Sequence, residues 1–285
     1  MATRMKVDTD AIRSRHPHHF GAPRRDRQVL MAAAAGAIFL LIVAMAQLGF
    51  FGAKFVEGIG KLGDILVFML PPNPGDWAHV RIYLLSLIET IAIAFLGTLV
   101  AAIIALPVAL LAARNVTVQR LLRFTTRRSL DVIRSVDILI WALIWINVVG
   151  LGPFAGVLAI MTSDIGNFGK LFSEAIEAVD RKPREGIVAA GGGAILGVRF
   201  GILPEVFPVL ASQVLYFFES NTRSATIIGI VGAGGIGLHL AEAIRTLELP
   251  KASFIILLIL VAVAAIDIVS NQLRFALIGR RGQRA

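Results

Sequence analysis

The segment EGIVAAGGGAILGVRFGILP, residues 185–204, carries three consecutive glycines, Gly191, Gly192 and Gly193, between two blocks of membrane-grade apolarity. Residues without a Cβ accept positive φ and close backbone approach, so the triplet lets two short helices meet at a tight corner. Pro183 suits a first helical turn and Glu185 the positive end of a helix dipole. A short helix is therefore expected to start near Arg184, with Pro204 opening the next long one. Whether the blocks on either side cross a bilayer decides the fold.

Composition says that they do. The 285 residues are 56% hydrophobic and 16% charged, with a mean hydropathy of +0.78, whereas ordinary globular chains carry about 25% charged residues. The formal charge of +9 could suggest a nucleic-acid partner. The basic residues instead sit in short clusters between apolar runs, where the positive-inside bias puts them, so nucleic acid is set aside and membrane lipid is the expected surrounding. The absence of cysteine excludes disulfides, thiolate metal sites and a cysteine nucleophile, and leaves the compartment undetermined. His16, His18 and His19 lie in a Pro-rich basic tail and read as a solvated segment rather than a metal site. The apolar run behind that tail is too long for a cleaved signal peptide and reads as a retained anchor.

A helix needs about 20 apolar residues to cross the hydrocarbon core. That criterion selects residues 29–51, a run within 82–113, 136–149 as most of a third span, 154–178, 205–231 and 254–278. Phe55, Ile59, Leu62, Ile65, Leu66 and Met69 recur at helical spacing against Lys54, Glu57, Lys61 and Asp64, which predicts an amphipathic surface helix between the first two spans. Pro107 is expected to kink or end the second span. The fourth is unusually polar, with Ser163, Asp164, Asn167 and Lys170, groups that should face protein or a wet cavity. Lysine and arginine concentrate in the N-terminal tail, in the stretch from Arg114 to Arg134, around residues 181–199 and at the C-terminus, and are sparse in the alternate connections. Six transmembrane helices with both termini cytoplasmic fit this pattern, and they put residues 185–204 in the cytoplasm. The expected organisation is a basic cytoplasmic tail (1–28), a first transmembrane helix with an external amphipathic segment (29–80) and a core (81–280) containing the corner at 181–204.

Gly232, Gly234 and Gly237 match the dinucleotide fingerprint G-x-G-x-x-G letter for letter, but a membrane span follows where a second parallel strand would be required. These glycines read instead as a break in the fifth helix that permits close packing at its extracytoplasmic end. No phosphate-binding loop of the G-x-x-x-x-G-K-S/T type and no hydrolytic constellation occurs, so the chain has no visible means of hydrolysing ATP. In the fifth span Ser212, Tyr216, Glu219, Arg223 and Thr226 follow at steps of three or four, a polar stripe on one helix face. Glu219 and Arg223 are in the favourable order for an ion pair and can simply hold helices together. Alternatively Tyr216, Glu219, Ser220, Asn221, Thr222, Arg223 and Ser224 line a wet pathway that offers transient donors to an anion. Glu89 with Thr90, and Asp137, Asn147 and Asp267, are further polar candidates for the membrane interior, with packing or interhelical hydrogen bonding as their default role.

The corner has a counterpart. Its spacing, Glu, five residues, Gly, eleven residues, Leu, Pro, resembles the cytoplasmic loop of binding-protein-dependent ABC importer permeases, EAA-x3-G-x9-I-x-LP. Glu185, Gly191, Leu203 and Pro204 match, while Gly186 and Ile187 replace the two alanines and Gly201 the isoleucine. Further blocks, LGTLVAAIIALPVALLAARN (96–115), VGLGPFAGVLAI (149–160), SEAIEAVD (173–180) and above all ESNTRSATIIGIVGAGGIG (219–237), resemble the PhnE-like permeases of phosphonate importers. The resemblance implies an all-α type I importer permease of six transmembrane helices in a bacterial inner membrane. It implies a homodimer, two ABC ATPase subunits that bind ATP and Mg in place of any cofactor on this chain, and an external binding protein that delivers phosphonate, phosphite or phosphate. It also makes the segment with Glu185, Gly186, Gly191, Leu203 and Pro204 the coupling helix that docks on the ATPase. The rival classes are a permease for another small solute such as an amino acid, an ion-coupled secondary transporter, and a membrane scaffold without transport.

Overall fold

A computed structural model describes residues 24–50 and 52–279, and every regular element among them is helical. The basic tail up to residue 23, with its three histidines, and the terminal arginines beyond residue 279 lie outside the described residues. The chain divides into two units, residues 1–67 and 68–285. In the first, α1 (Arg24–Gln47) is the long apolar helix anticipated for an anchor, and α2 (Ala53–Phe68) is the amphipathic helix read from the spacing of Phe55, Ile59 and Leu62.

The second unit is a helical bundle. α3 (Trp77–Ala112) runs unbroken through Pro107, so that proline neither ends the helix nor separates two spans. At about 1.5 Å per residue its 36 residues reach about 54 Å, well beyond a hydrocarbon core of about 30 Å. α4 (Arg120–Arg134) and α5 (Ile138–Val149) meet at a bend of 87°. Alone, the 12 residues of α5 cover about 18 Å and cannot cross; the arginine-rich stretch expected to be a connection supplies α4 instead. α6 (Pro153–Ala178) follows, then the short α7 (Lys182–Ala189). A continuous stretch comes next: α8 (Ala194–Leu196), a π-helical turn over Gly197–Ile202, and α9 (Leu203–Ile230). α10 (Ile236–Arg245) and α11 (Leu249–Gly279) complete the bundle. Four helical stretches among the described residues are long and apolar enough to cross a membrane, and the bent α4–α5 pair brings the number to five when its two arms are counted as one span. α6 is long enough too, but its buried Asp164 and its Lys170, Glu174 and Glu177 make it too polar for the same criterion.

α6 occupies the middle of the bundle. One entire face, from Ala155 through Ile160, Asp164 and Phe168 to Ile176, is buried. Small residues there let neighbours approach: a Cβ at Gly166 would lie 2.8 Å from the backbone nitrogen of Arg134, so only glycine admits the end of α4 at that point. The interior is layered. One apolar cluster gathers Ala101, Ala105, Phe168, Phe172, Ile202 and Val206; another gathers Ile93, Ala94, Ala159, Ile160, Ala225 and Ile228; a third surrounds Tyr83, Ile236 and Ile255.

Of the dinucleotide-like fingerprint, Gly232 and Gly234 lie in the turn between two helices, α9 and α10, and Gly237 in the first turn of α10, with no strand on either side. Gly232, Gly234 and Gly235 have φ of +106°, +82° and +75°. The backbone amides exposed at the start of α10 are met from α3: Ile236 N–H donates to Thr90 Oγ1 at 2.8 Å, and Gly235 N–H to Glu89 Oε1 at 3.2 Å. Glu89 and Thr90, candidates at the sequence level for interhelical hydrogen bonding, thus cap a helix 146 residues away. Thr90→Val keeps the shape and removes the acceptor from a fully buried amide. It is expected to cost about 1–3 kcal/mol, read as a lowered melting midpoint of the solubilised protein.

Candidate functional site

Two places gather the residues singled out in the sequence. The first is the corner. α7 has Pro183 in its first turn and Glu185 just behind it, the arrangement expected from the dipole and from proline's fixed φ. It ends at Gly191, whose φ of +83° reverses the chain while its N–H donates to Val188 O at 3.0 Å. The helix then lies against the π-helical turn. A Cβ on Gly201 would stand 3.0 Å from Arg184 Cα and 3.1 Å from its nitrogen, so an isoleucine at this position would need the backbone of α7 to give by a few tenths of an ångström. Gly186 and Gly193 have open space around them. Leu203 and Pro204 form the first turn of α9.

Polar contacts tie the corner to the ends of three other helices. Arg184 Nη1 donates to Asn115 O just beyond α3. Asn115 Nδ2 donates to Ile176 O at 2.6 Å, and Glu177 Oε1 accepts from both the Arg114 amide and Arg127 Nη2 at 2.5 Å. Arg127 Nε also reaches Ala112 O at 2.9 Å. These contacts tie α7 to the end of α3, and that end to α4 and α6; four of the five hydrogen bonds involve a charged side chain and are the stronger kind.

The second place lies midway along α9. Between the first two apolar clusters sits a polar layer: Asn221 Nδ2 donates to Asp164 Oδ2 at 2.5 Å and lies 2.8 Å from Thr98 Oγ1. All three are almost fully enclosed, at 4%, 2% and 1% exposure. Buried polar groups persist only when paired, and this layer joins α3, α6 and α9 at one height. Beside it opens a cavity of about 270 Å³ lined by Arg134, Asp137, Ser163, Asp164, Asn167, Ser220, Asn221 and Ser224, with Phe217, Val136 and Ile138 as its apolar wall. Asp137 also caps α5, accepting from Leu139 N–H at 2.8 Å.

The structure divides the ESNTRS run between two faces. Ser220, Asn221 and Ser224 line the cavity; Glu219 turns to Arg274 of α11, and the half-exposed Arg223 pairs with Glu219. Glu219, 7% exposed, holds Arg223 Nη1 at 3.1 Å with one oxygen and Arg274 Nη2 at 3.0 Å with the other. Arg274 is shared further with Asn271 Oδ1 at 2.7 Å, and Asn271 with Asp267 at 3.0 Å. Tyr216 is half exposed and lies under the Arg274 guanidinium, 5.8 Å from its ring centre. Thr222 is buried and bonds the Phe218 carbonyl of its own helix, as Thr226 does that of Thr222. Sequence reasoning missed Arg274 as a partner of Glu219, having counted it only as an inward-side charge. The signal was present: Asp267, Asn271 and Arg274, at steps of four and three, form a stripe like the one noticed on α9.

Comparison with known proteins places this architecture. The family described as "Binding-protein-dependent transport system inner membrane component" matches residues 105–282. The putative phosphite transport system permease protein HtxC of Stutzerimonas stutzeri is 38% identical over 225 residues, 79% of this chain and 79% of the relative. The phosphate-import permease protein PhnE of Mycolicibacterium smegmatis is 34% identical over 233 residues, 82% of this chain and 43% of that longer relative. Among solved structures, an inward-facing form of the MetNI methionine ABC transporter superposes with a TM-score of 0.63 at 19% identity, covering 71% of this chain and 99% of that one. The matched region takes in the corner, the cavity and, from the polar layer, Asp164 and Asn221, and the chain belongs to the family of binding-protein-dependent transport system inner membrane components.

Proposed function

We propose that this chain is the permease subunit of an ATP-driven importer and translocates a phosphorus oxyanion, phosphonate, phosphite or phosphate, delivered by an external binding protein. Two copies form the translocation unit in a bacterial inner membrane, with both termini cytoplasmic. Hydrolysis belongs to two separate ATPase subunits, which bind ATP and Mg. The observation that carries the reading is the cavity beside the Asn221–Asp164–Thr98 layer, walled by hydroxyl and amide groups of the ESNTRS run. Such groups donate to an oxyanion without holding it tightly, and the acidic Asp164 and Asp137 in the same wall favour passage over storage. The relatives named for phosphite and phosphate transport supply the cargo class.

Mechanically, closure of the ATPases moves α7, with exposed Glu185 and Gly186 along it, Gly191 just past its C-terminus, and Leu203 and Pro204 anchoring the return into α9. That movement reaches the cavity wall along α9 itself and along α6 through the Glu177 network. Uptake of labelled phosphite, phosphate and methylphosphonate by liposomes holding the whole complex tests the reading. Transport of at least one, dependent on ATP and on the binding protein, is expected; uptake of an amino acid and of none of the three would replace it.

Arg223 pairs with Glu219 and does not line the cavity, so it tests whether the anion's route extends beyond that wall. Its side chain is 50% exposed, and Glu219 keeps Arg274 when Arg223 is removed, so Arg223→Ala should fold and assemble normally. Losing one partly exposed charge is expected to slow uptake by roughly two- to fivefold. Unaltered uptake would remove Arg223 from the route.

A further inference from the structure

The cavity beside the polar layer is not isolated. It shares Arg134 and Asn167 with a second cavity of about 510 Å³, lined also by Arg128, Asp131, Ser135 and Lys170. That one shares Arg128, Asp131 and Lys170 with a third of about 130 Å³, which extends to Ser173 and Glu174. The second and third lie along the groove between α4 and α6, and the first, walled also by α5 and α9, opens at its head. Gly166 sets the start of that groove by admitting the backbone of Arg134 against α6.

The balance of basic and acidic side chains shifts along the series. In the first cavity one cation, Arg134, faces two acidic side chains, Asp137 and Asp164. In the second, three cations, Arg128, Arg134 and Lys170, surround a single carboxylate, Asp131. Two of those cations, Lys170 and Arg134, are loosely held. Arg128 Nη1 sits 3.1 Å from Asp131, but Lys170 Nζ is at 3.6 Å and Arg134 Nε at 3.8 Å, beyond ordinary hydrogen-bond reach. Lys170 Nζ is 3.9 Å from Glu174. Donors in that condition can turn to a passing anion without first breaking a tight pair.

We infer that these cavities form the exit track for the transported anion, with Arg134 as the relay out of the polar layer and Lys170 and Arg128 as the receiving cations. An oxyanion in the first cavity gains by moving toward the second, where opposite charge outnumbers like charge. Asp131 competes with the anion for the same cations and so limits how long it stays. The track rests on the reading of the chain as an oxyanion permease. It gives the arginines of α4 a task besides setting topology.

The test uses the complete complex in liposomes of two compositions, neutral phosphatidylcholine alone and the same lipid with anionic phosphatidylglycerol. Labelled phosphite, phosphate and methylphosphonate are the probes. Arg134→Gln and Lys170→Gln, together, are expected to lower uptake roughly fivefold in both compositions, with ATP hydrolysis and melting midpoint unchanged and with Arg134→Lys restoring most of the rate. Unchanged uptake by the double variant would overturn the track while leaving the permease reading standing. A loss confined to the anionic vesicles would overturn it as well, assigning the cations to lipid headgroups. A wild-type complex that takes up none of the three probes would bring down the permease reading and the track with it. Should the double variant not fold, Lys170→Gln alone decides, because that partly exposed side chain can be replaced without opening the interior.

Discussion

Glu219→Ala is expected to destabilise the bundle by about 3–5 kcal/mol, the cost of leaving a charge in the interior without its partner. The stranded charge is Arg274. Its side chain is 21% exposed, and beyond Glu219 it has the neutral Asn271 and the ring of Tyr216. Arg274→Ala should be costly for the same reason seen from the other side, although Arg223 still neutralises Glu219 and moderates the loss. Removing both, Glu219→Ala with Arg274→Ala, should recover much of the stability, because no unpaired charge of that pair then remains. Melting of the solubilised protein across the four combinations measures the coupling. Strictly additive losses would show that the two side chains act independently and that the contact between α9 and α11 is incidental. Against these, Arg223→Ala should barely move the melting midpoint, since an ion pair with one half-exposed partner is worth about 0–1 kcal/mol. The comparison separates the structural half of the Glu219 cluster from the half available to cargo.

That separation shows how far the sequence could be read. Spacing along α9 found the right residues, because a step of three or four does report a shared helix face. It could not say what each face meets. Glu219 and Ser220 are adjacent in sequence and about 100° apart around the helix, so one turns to α11 and the other to the cavity. The long apolar helices were legible from length and hydropathy, and the corner from proline, glutamate and glycine placement. α5 was less so. Apolar residues 136–149 read as most of a span, yet the chain turns by 87° at residues 135–137 and leaves only 12 helical residues. The arginines preceding that bend were explained by the positive-inside bias, an explanation sufficient for composition and silent about which of them line a cavity. Arg134 is there because Gly166, 32 positions later, lacks a side chain, and single-sequence patterns carry no such long-range contact.

Gly191→Pro is expected to uncouple the motor from the gate. Proline fixes φ near about −65°, while Gly191 needs +83°, and proline also lacks the N–H that Gly191 donates to Val188 O. The reversal after α7 cannot form as it stands, so the helix loses its seat against Gly201 and its Arg184 contact with Asn115. The rest of the bundle is held by the apolar clusters and the polar layer, none of which includes residue 191, and should fold. In the complete complex this predicts ATP hydrolysis that continues, no longer stimulated by the loaded binding protein, while uptake falls about tenfold or more, since a misplaced rigid contact forfeits coupling free energy of about 1–3 kcal/mol. Gly193→Ala is the control: its φ is −72°, a Cβ there meets nothing within 4 Å, and uptake should stay close to wild type. Hydrolysis and uptake falling together in Gly191→Pro, with the complex intact, would mean that the corner governs the ATPase itself. Retention of both would mean that force enters the permease elsewhere, and the Arg184, Asn115 and Glu177 network would then be only a structural tie between helix ends.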